Sequence, residues 1–227
     1  LHVRSRRQRQ MCIRDSSPSF EYSKQEVVKQ NDFRYYKFSD FLVPSVTSIL
    51  RISRPKQIFN HSSKQADSFE IGNLMHEYLD CYVTDKKIED SDSENSKIAL
   101  KLSEVIINNI FPKIDTFIST EATVHNNHEY AGTLDLLALV DGKLTIIDYK
   151  SSYRPKSSLQ IDEHFQQLAA YALAHDNMHN TKIEQAMIFV VYKESYKYEI
   201  LTSELSLLNK YKLMWNETLD YYKEISL

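Results

Sequence analysis

The sequence predicts an α/β (α+β) protein: a central mixed β-sheet flanked by helices, with a helical N-terminal portion. Helical spacing dominates residues 64–118, period two takes over from 120 to 150, and helix and strand then alternate to the C-terminus. With 227 residues, 42% of them hydrophobic, the chain is long enough to bury a sizeable core.

Each element follows from its local pattern. Residues 17–43 are polar and read as irregular, ending in Phe41-Leu42-Val43. Pro44–Leu50 reads as a loop leading into a short helix. Over 64–84, Ile71, Leu74, Met75, Tyr78, Leu79 and Tyr82 form one apolar stripe. Asp85–Ser96 is charged and reads as a loop. Ile98–Ile118 is a second helical region that Pro112 breaks. Strands are expected at 120–125, 130–140 and 143–150, then a helix over 159–176. Strands at 185–193 and 196–202 and a helix over 204–225 close the chain. Residues 17–227 are expected to form one domain, with a helical part over 44–119 and a sheet core over 120–227.

Residues 1–16 differ from the rest. They hold Arg4, Arg6, Arg7, Arg9 and Arg14 against a single acid, Asp15, and resemble a peptide translated from sequencing-adapter DNA. They are expected to be a non-native or disordered basic head, and the fold is read without them. The remainder then holds 23 basic against 30 acidic residues, so net charge moves from −3 to −7. Bulk electrostatics therefore do not draw the chain to nucleic acid; a grip on phosphate must come from local cations. One cysteine, Cys81, outside the head excludes a disulfide framework and a four-cysteine zinc or iron–sulfur cluster. No apolar run approaches the roughly 18–20 residues that span a bilayer, so no membrane partner is expected.

The chemistry concentrates around one turn. Asp141-Gly142 is a two-residue hairpin signal, so Val140 pairs with Lys143 and paired residue numbers sum to 283. Asp135 then faces Asp148, Thr133 faces Lys150, and the alternation puts Asp135, Asp148 and Lys150 on one face. Opposed like charges in apolar strands destabilise unless a cation compensates them. Lys150 is one candidate, and a divalent metal gathered by both carboxylates is a better one.

These residues sit in a longer pattern. Gly132-Thr133-Leu134-Asp135, Ile147-Asp148-Tyr149-Lys150 and Gln167-Leu168-Ala169-Ala170-Tyr171 resemble the RecB-type branch of the PD-(D/E)XK nuclease superfamily. Pro44-Ser45-Val46-Thr47 and Gly72-Asn73-Leu74-Met75-His76 are similar to the phage and mitochondrial genome-maintenance exonucleases of that branch. The resemblance runs in order from about residue 41 to 175 and implies a restriction-endonuclease-like core. It implies that His76, Asp135 and Asp148 hold Mg²⁺ or Mn²⁺, with the Tyr149 carbonyl as a further oxygen donor. Lys150 would position or help deprotonate the attacking water, and Gln167 and Tyr171 would line the DNA path. The implied activity is metal-dependent hydrolysis of DNA, on single strands or ends, in replication, recombination or repair. An endonuclease on the same fold and a non-catalytic DNA-binding module are the alternatives. Iron–sulfur members of the branch need four cysteines, which this chain lacks.

Individual residues carry different weight. His76 lies about 120° round its helix from the centre of the apolar stripe, so it is not a core histidine. Glu121 is a further candidate ligand with an open register. A two-residue Asn126-Asn127 turn sets it opposite Gly132, and a three-residue loop with a bulge sets it opposite Thr133. Ser151, Ser152, Arg154 and Lys156 suit phosphate contacts or, equally, a solvated loop, and Arg51, Arg54 and Lys56 form a second basic cluster open to the same two readings. Abundant Lys, Asn, Ile and Tyr suit an AT-rich source, and the expected location is the cytoplasm of a bacterial or phage-infected cell.

Overall fold

The stretch expected to be irregular is a small antiparallel sheet in the computed structural model, which describes residues 18–31, 33–53, 63–88 and 92–226. The head at 1–16 and the candidates Arg54 and Lys56 lie outside the described residues. β1 (Glu26–Gln30), β2 (Phe33–Phe38) and β3 (Phe41–Pro44) pair in that order. Their alternation is hard to read because Lys29, Arg34 and Lys37 interrupt it, and only Tyr36 and Val43 are fully buried. Ser45 caps α1 (Val46–Ile52), its side chain accepting the Ser48 N–H at 3.1 Å.

α2 (Ser63–Thr84) presents Ile71, Met75, Tyr78 and Leu79 to the core, while Tyr82 at the end of the predicted stripe is exposed. α3 (Glu94–Asn109) takes in the last three residues of the expected loop and is capped by Ser93. Pro112 sits in a 3₁₀ turn, Phe111–Lys113, that ends the helical region. Residues 116–118, expected to be helical, instead open β4 (Thr116–Asn126), where Phe117 packs edge-on to Phe111.

β5 (Tyr130–Val140) returns antiparallel to β4, and β6 (Lys143–Ser152) antiparallel to β5. Asp141 and Gly142 have φ of 50° and 73°, the two positive values a type I′ turn requires, and Val140 pairs with Lys143 as predicted. α4 (Ser158–His179) then crosses over to β7 (Gln185–Tyr192), which lies parallel to β6. Ser157 and Gln160 form a reciprocal capping box at its start, and Asn180 ends it in the left-handed conformation. β8 (Tyr198–Glu204) pairs antiparallel with β7, and α5 (Leu205–Ser226) closes the chain.

The sheet, ordered β4-β5-β6-β7-β8, is covered on both faces. One core joins Leu134, Leu137, Ile146 and Ile188 to α1, α4 and α5, around fully buried Trp215. The other joins Leu136, Ala138, Ile147 and Phe189 to α2 and α3. Each fully buried leucine, isoleucine or phenylalanine among these contributes about 1.5–3 kcal/mol. Among the described residues no helix is long and apolar enough to cross a membrane.

Candidate active site

The hairpin register holds from Val140/Lys143 to Leu136/Ile147 and then stops. Beyond that point β5 and β6 part, and Asp135 turns its carboxylate into the gap, where Oδ2 accepts the Tyr149 N–H at 2.7 Å. The expected pairs Asp135/Asp148 and Thr133/Lys150 therefore lie beyond the paired part of the hairpin, and at Asp135 a side chain replaces the backbone ladder. The other edge of β5 is irregular too. The β4–β5 loop has three residues, Asn127–Glu129, and its register brings Glu121 level with Asp135 between the Thr120/Leu136 and Ala122/Leu134 pairs. Neither register expected for Glu121 is realised, because the loop falls at Asn127–Glu129 and pairs Asn126 with Tyr130; Glu121 itself takes a left-handed φ of 48°.

α2 supplies the third side. The His76 Nε2–H donates to the Tyr149 carbonyl at 3.0 Å, which leaves Nδ1 facing Asp135 Oδ1 at 3.4 Å and Glu121 Oε1 at 3.9 Å. Ligand atoms of His76, Glu121 and Asp135 all lie within 4.8 Å of one another. Asp148, 2% exposed, pairs instead with Lys150, whose ammonium donates to Oδ1 at 2.6 Å. Oδ2 lies 2.5 Å from the same nitrogen but, among the described residues, receives no aligned hydrogen bond. A geometric hydrogen bond demands alignment and an ion pair only proximity, so the second oxygen is neutralised without being satisfied.

The charges hold one another in place. Burial opposes a charged imidazole on His76, but Asp135 outweighs it and lifts the pKa to about 9. Burial would raise the Asp135 carboxyl, yet His76, Lys150 and the Tyr149 N–H hold it below the usual range. Burial, with the neighbouring Asp135, pushes Glu121 to about 7. It pushes Asp148 to about 6 against the pull of Lys150. Carboxylates so raised call for more positive charge than His76 and Lys150 supply. The donor set of two or three carboxylate oxygens and one imidazole, with the unsatisfied Asp148 Oδ2, fits a hard divalent cation.

The remaining candidates separate by position. Gly72, Asn73 and His76 of α2 line a cavity of about 320 Å³ with Tyr149, Lys150 and Ser151. Gly72 is not required for close approach, since a Cβ there would stand 3.6 Å from Ser151 Oγ. Gln167 is half-buried and donates to the Tyr171 hydroxyl at 3.1 Å, while Tyr171 is buried with its ring against Gly132. Arg154 and Arg51 are exposed, the latter near the Phe33 ring. Two cations escaped the sequence reading. Lys193 is buried and donates to Ser68 on α2, and Arg34 on β2 bonds Tyr36, whose hydroxyl reaches Thr133. The available signal was the period-two run Phe33–Phe38.

Residues 116–213 match the sequence model of the PD-(D/E)XK nuclease superfamily. Three relatives are mitochondrial genome maintenance exonuclease 1 from different vertebrates. The human protein is 25% identical over 81% of this chain and 59% of its own length. The mouse protein is 30% identical over 52% of this chain and 36% of its own, and that of Xenopus tropicalis 36% identical over 34% and 23%. The chain thus spans less than two thirds of each relative it matches.

Proposed function

We propose that this chain, which carries a PD-(D/E)XK nuclease domain, is a divalent-metal-dependent deoxyribonuclease that hydrolyses phosphodiester bonds from the ends of single-stranded DNA. The observation that carries the reading is the convergence of His76, Glu121 and Asp135 beside the buried Asp148–Lys150 pair. Mg²⁺ is the proposed ion, held by those residues and Asp148, with Mn²⁺ tolerated through the imidazole. The ion supplies Lewis-acid charge against the phosphate and lowers the pKa of water.

The chain's own groups do the rest. Lys150 holds a positive charge next to Asp148, where it orients the nucleophile and stabilises charge developing on the phosphate. Tyr149 fixes the ligands through its backbone: its N–H holds Asp135 and its carbonyl holds His76, so neither rotates freely. The end preference is supported by the exonuclease relatives. Ser151 and exposed Arg154 and Arg51 are the proposed contacts along the DNA, in replication, recombination or repair.

The test offers end-labelled linear and circular single-stranded DNA to the protein with Mg²⁺, Mn²⁺ or EDTA. Loss of the linear strand alone, with either metal and not with EDTA, is the expected result. Cutting of the circle would replace end-directed cleavage by endonucleolytic cleavage, and cleavage in EDTA would overturn the metal dependence.

A further inference from the structure

Arg34 lies on β2, outside the stretch that matches the nuclease model. Its backbone is held at both polar groups: the N–H donates to Ser48 Oγ at 2.8 Å and the carbonyl accepts the Ser45 N–H at 2.9 Å. Its side chain lies over the Tyr36 ring, 5.0 Å from the centroid, and Nη2 donates to the Tyr36 hydroxyl at 2.7 Å. That hydroxyl is in turn 2.9 Å from Thr133 Oγ1, two residues before Asp135 on β5. The guanidinium is therefore tied, through two side chains, to the strand that carries a metal-site carboxylate. Its charge reaches Glu121 on the neighbouring β4. Lys150 belongs to β6, the strand on the other side of β5.

What Arg34 lacks is an anion. Among the described residues it makes no ion pair, and its Nε is buried without a hydrogen-bond partner. A fork of five N–H donors that gives one to a hydroxyl and buries another unsatisfied costs stability. Packing for such a group is more simply met by an apolar side chain. A planar, permanently charged fork suits bidentate recognition of phosphate. We infer that Arg34 binds a second phosphate of the DNA strand, on the β4 side of the metal cluster, while Lys150 serves the phosphate under attack. The assignment rests on the nuclease reading.

The experiment measures binding and cleavage separately. A single-stranded oligonucleotide carries one uncharged methylphosphonate linkage, moved position by position. Its affinity is read by anisotropy in Ca²⁺ for the wild type, Arg34→Gln and Arg34→Lys, with cleavage followed in Mg²⁺. Arg34→Gln is expected to bind about tenfold more weakly and to lower the salt dependence by roughly 0.7 in logarithmic slope. Arg34→Lys should fall between, keeping the charge and losing the fork. At one position the neutral linkage should weaken the wild type and leave Arg34→Gln unaffected. Strands with hydroxyl or phosphate ends separate an internal from a terminal phosphate. If the Gln variant does not fold, the scan on wild type and Arg34→Lys decides, with the loss at that position smaller for Lys. Equal losses for all proteins at every position, with cleavage intact, overturn the Arg34 assignment alone. The expected pattern without cleavage overturns the nuclease reading alone, and no binding overturns both.

Discussion

Gly132 and Tyr171 are locked together: a methyl group on Gly132 would fall inside the Tyr171 ring, which α4 holds in the core with 4% exposure. Gly132→Ala must displace either the ring or β5, and overpacking of this kind costs roughly 1–3 kcal/mol. A thermal midpoint several degrees lower is expected, with cleavage down on the order of a hundredfold because Asp135 moves with the strand. Gly72→Ala is the contrast, since its Cβ would meet only ordinary contact and alanine favours the helix by about 0.5–1 kcal/mol. Its midpoint should not fall; an equal drop in both variants would remove the explanation given for Gly132. At this scale Asp135, Asp148 and Lys150 were legible because carboxylates and a lysine inside apolar strands stand out, and the Asp-Gly turn numbers the hairpin up to Leu136 and Ile147 beside them. Glu121 was not, because its place depends on a three-residue loop and its own left-handed φ of 48°, which no side-chain pattern records.

The elements show where charge hides a pattern. β1–β3 are short, and with only Tyr36 and Val43 fully buried no clean alternation marks them, so the stretch reads as loop. The central strands β5–β7, mostly buried along their length, read plainly. The end of α4 carries a further element-scale contact: His175 is fully buried, with Nδ1–H donating to Thr181 Oγ1 at 2.8 Å and Nε2 accepting the Tyr22 hydroxyl at 2.7 Å. Thr181 gives its own proton to Asp176, which fixes that tautomer. Burial, with His179 nearby, lowers His175 to about 4. The unfolded chain, with histidine near 6.5, takes up the proton first. The contribution is therefore complete above about pH 6.5 and is lost as pH falls toward 4, on the order of 2 kcal/mol. Thermal midpoints at pH 7.5 and 5 should fall more for the wild type than for His175→Gln. Parallel declines would show that His175 does not carry the effect.

For the whole molecule, the two cores leave one region of the sheet polar, where β5 and β6 part and α2 brings His76 across. The α/β class and the mixed sheet followed from periodicity, because a switch from 3.6 to 2 survives any tertiary detail. The pairing of Asp148 with Lys150, with Oδ2 left without an aligned hydrogen bond, did not. At the centre of the site Asp148 is buried, isosteric with asparagine and paired by a neutralising lysine. The direct measurement is Mg²⁺-dependent cleavage of linear single-stranded DNA by the wild type and Asp148→Asn at equal folded concentration. A loss of at least about a thousandfold, a few kcal/mol of transition-state stabilisation, with DNA binding kept is the expected result. Cleavage within a few-fold of the wild type would contradict the account, because the carboxylate at the centre of the site would then have no part in the reaction.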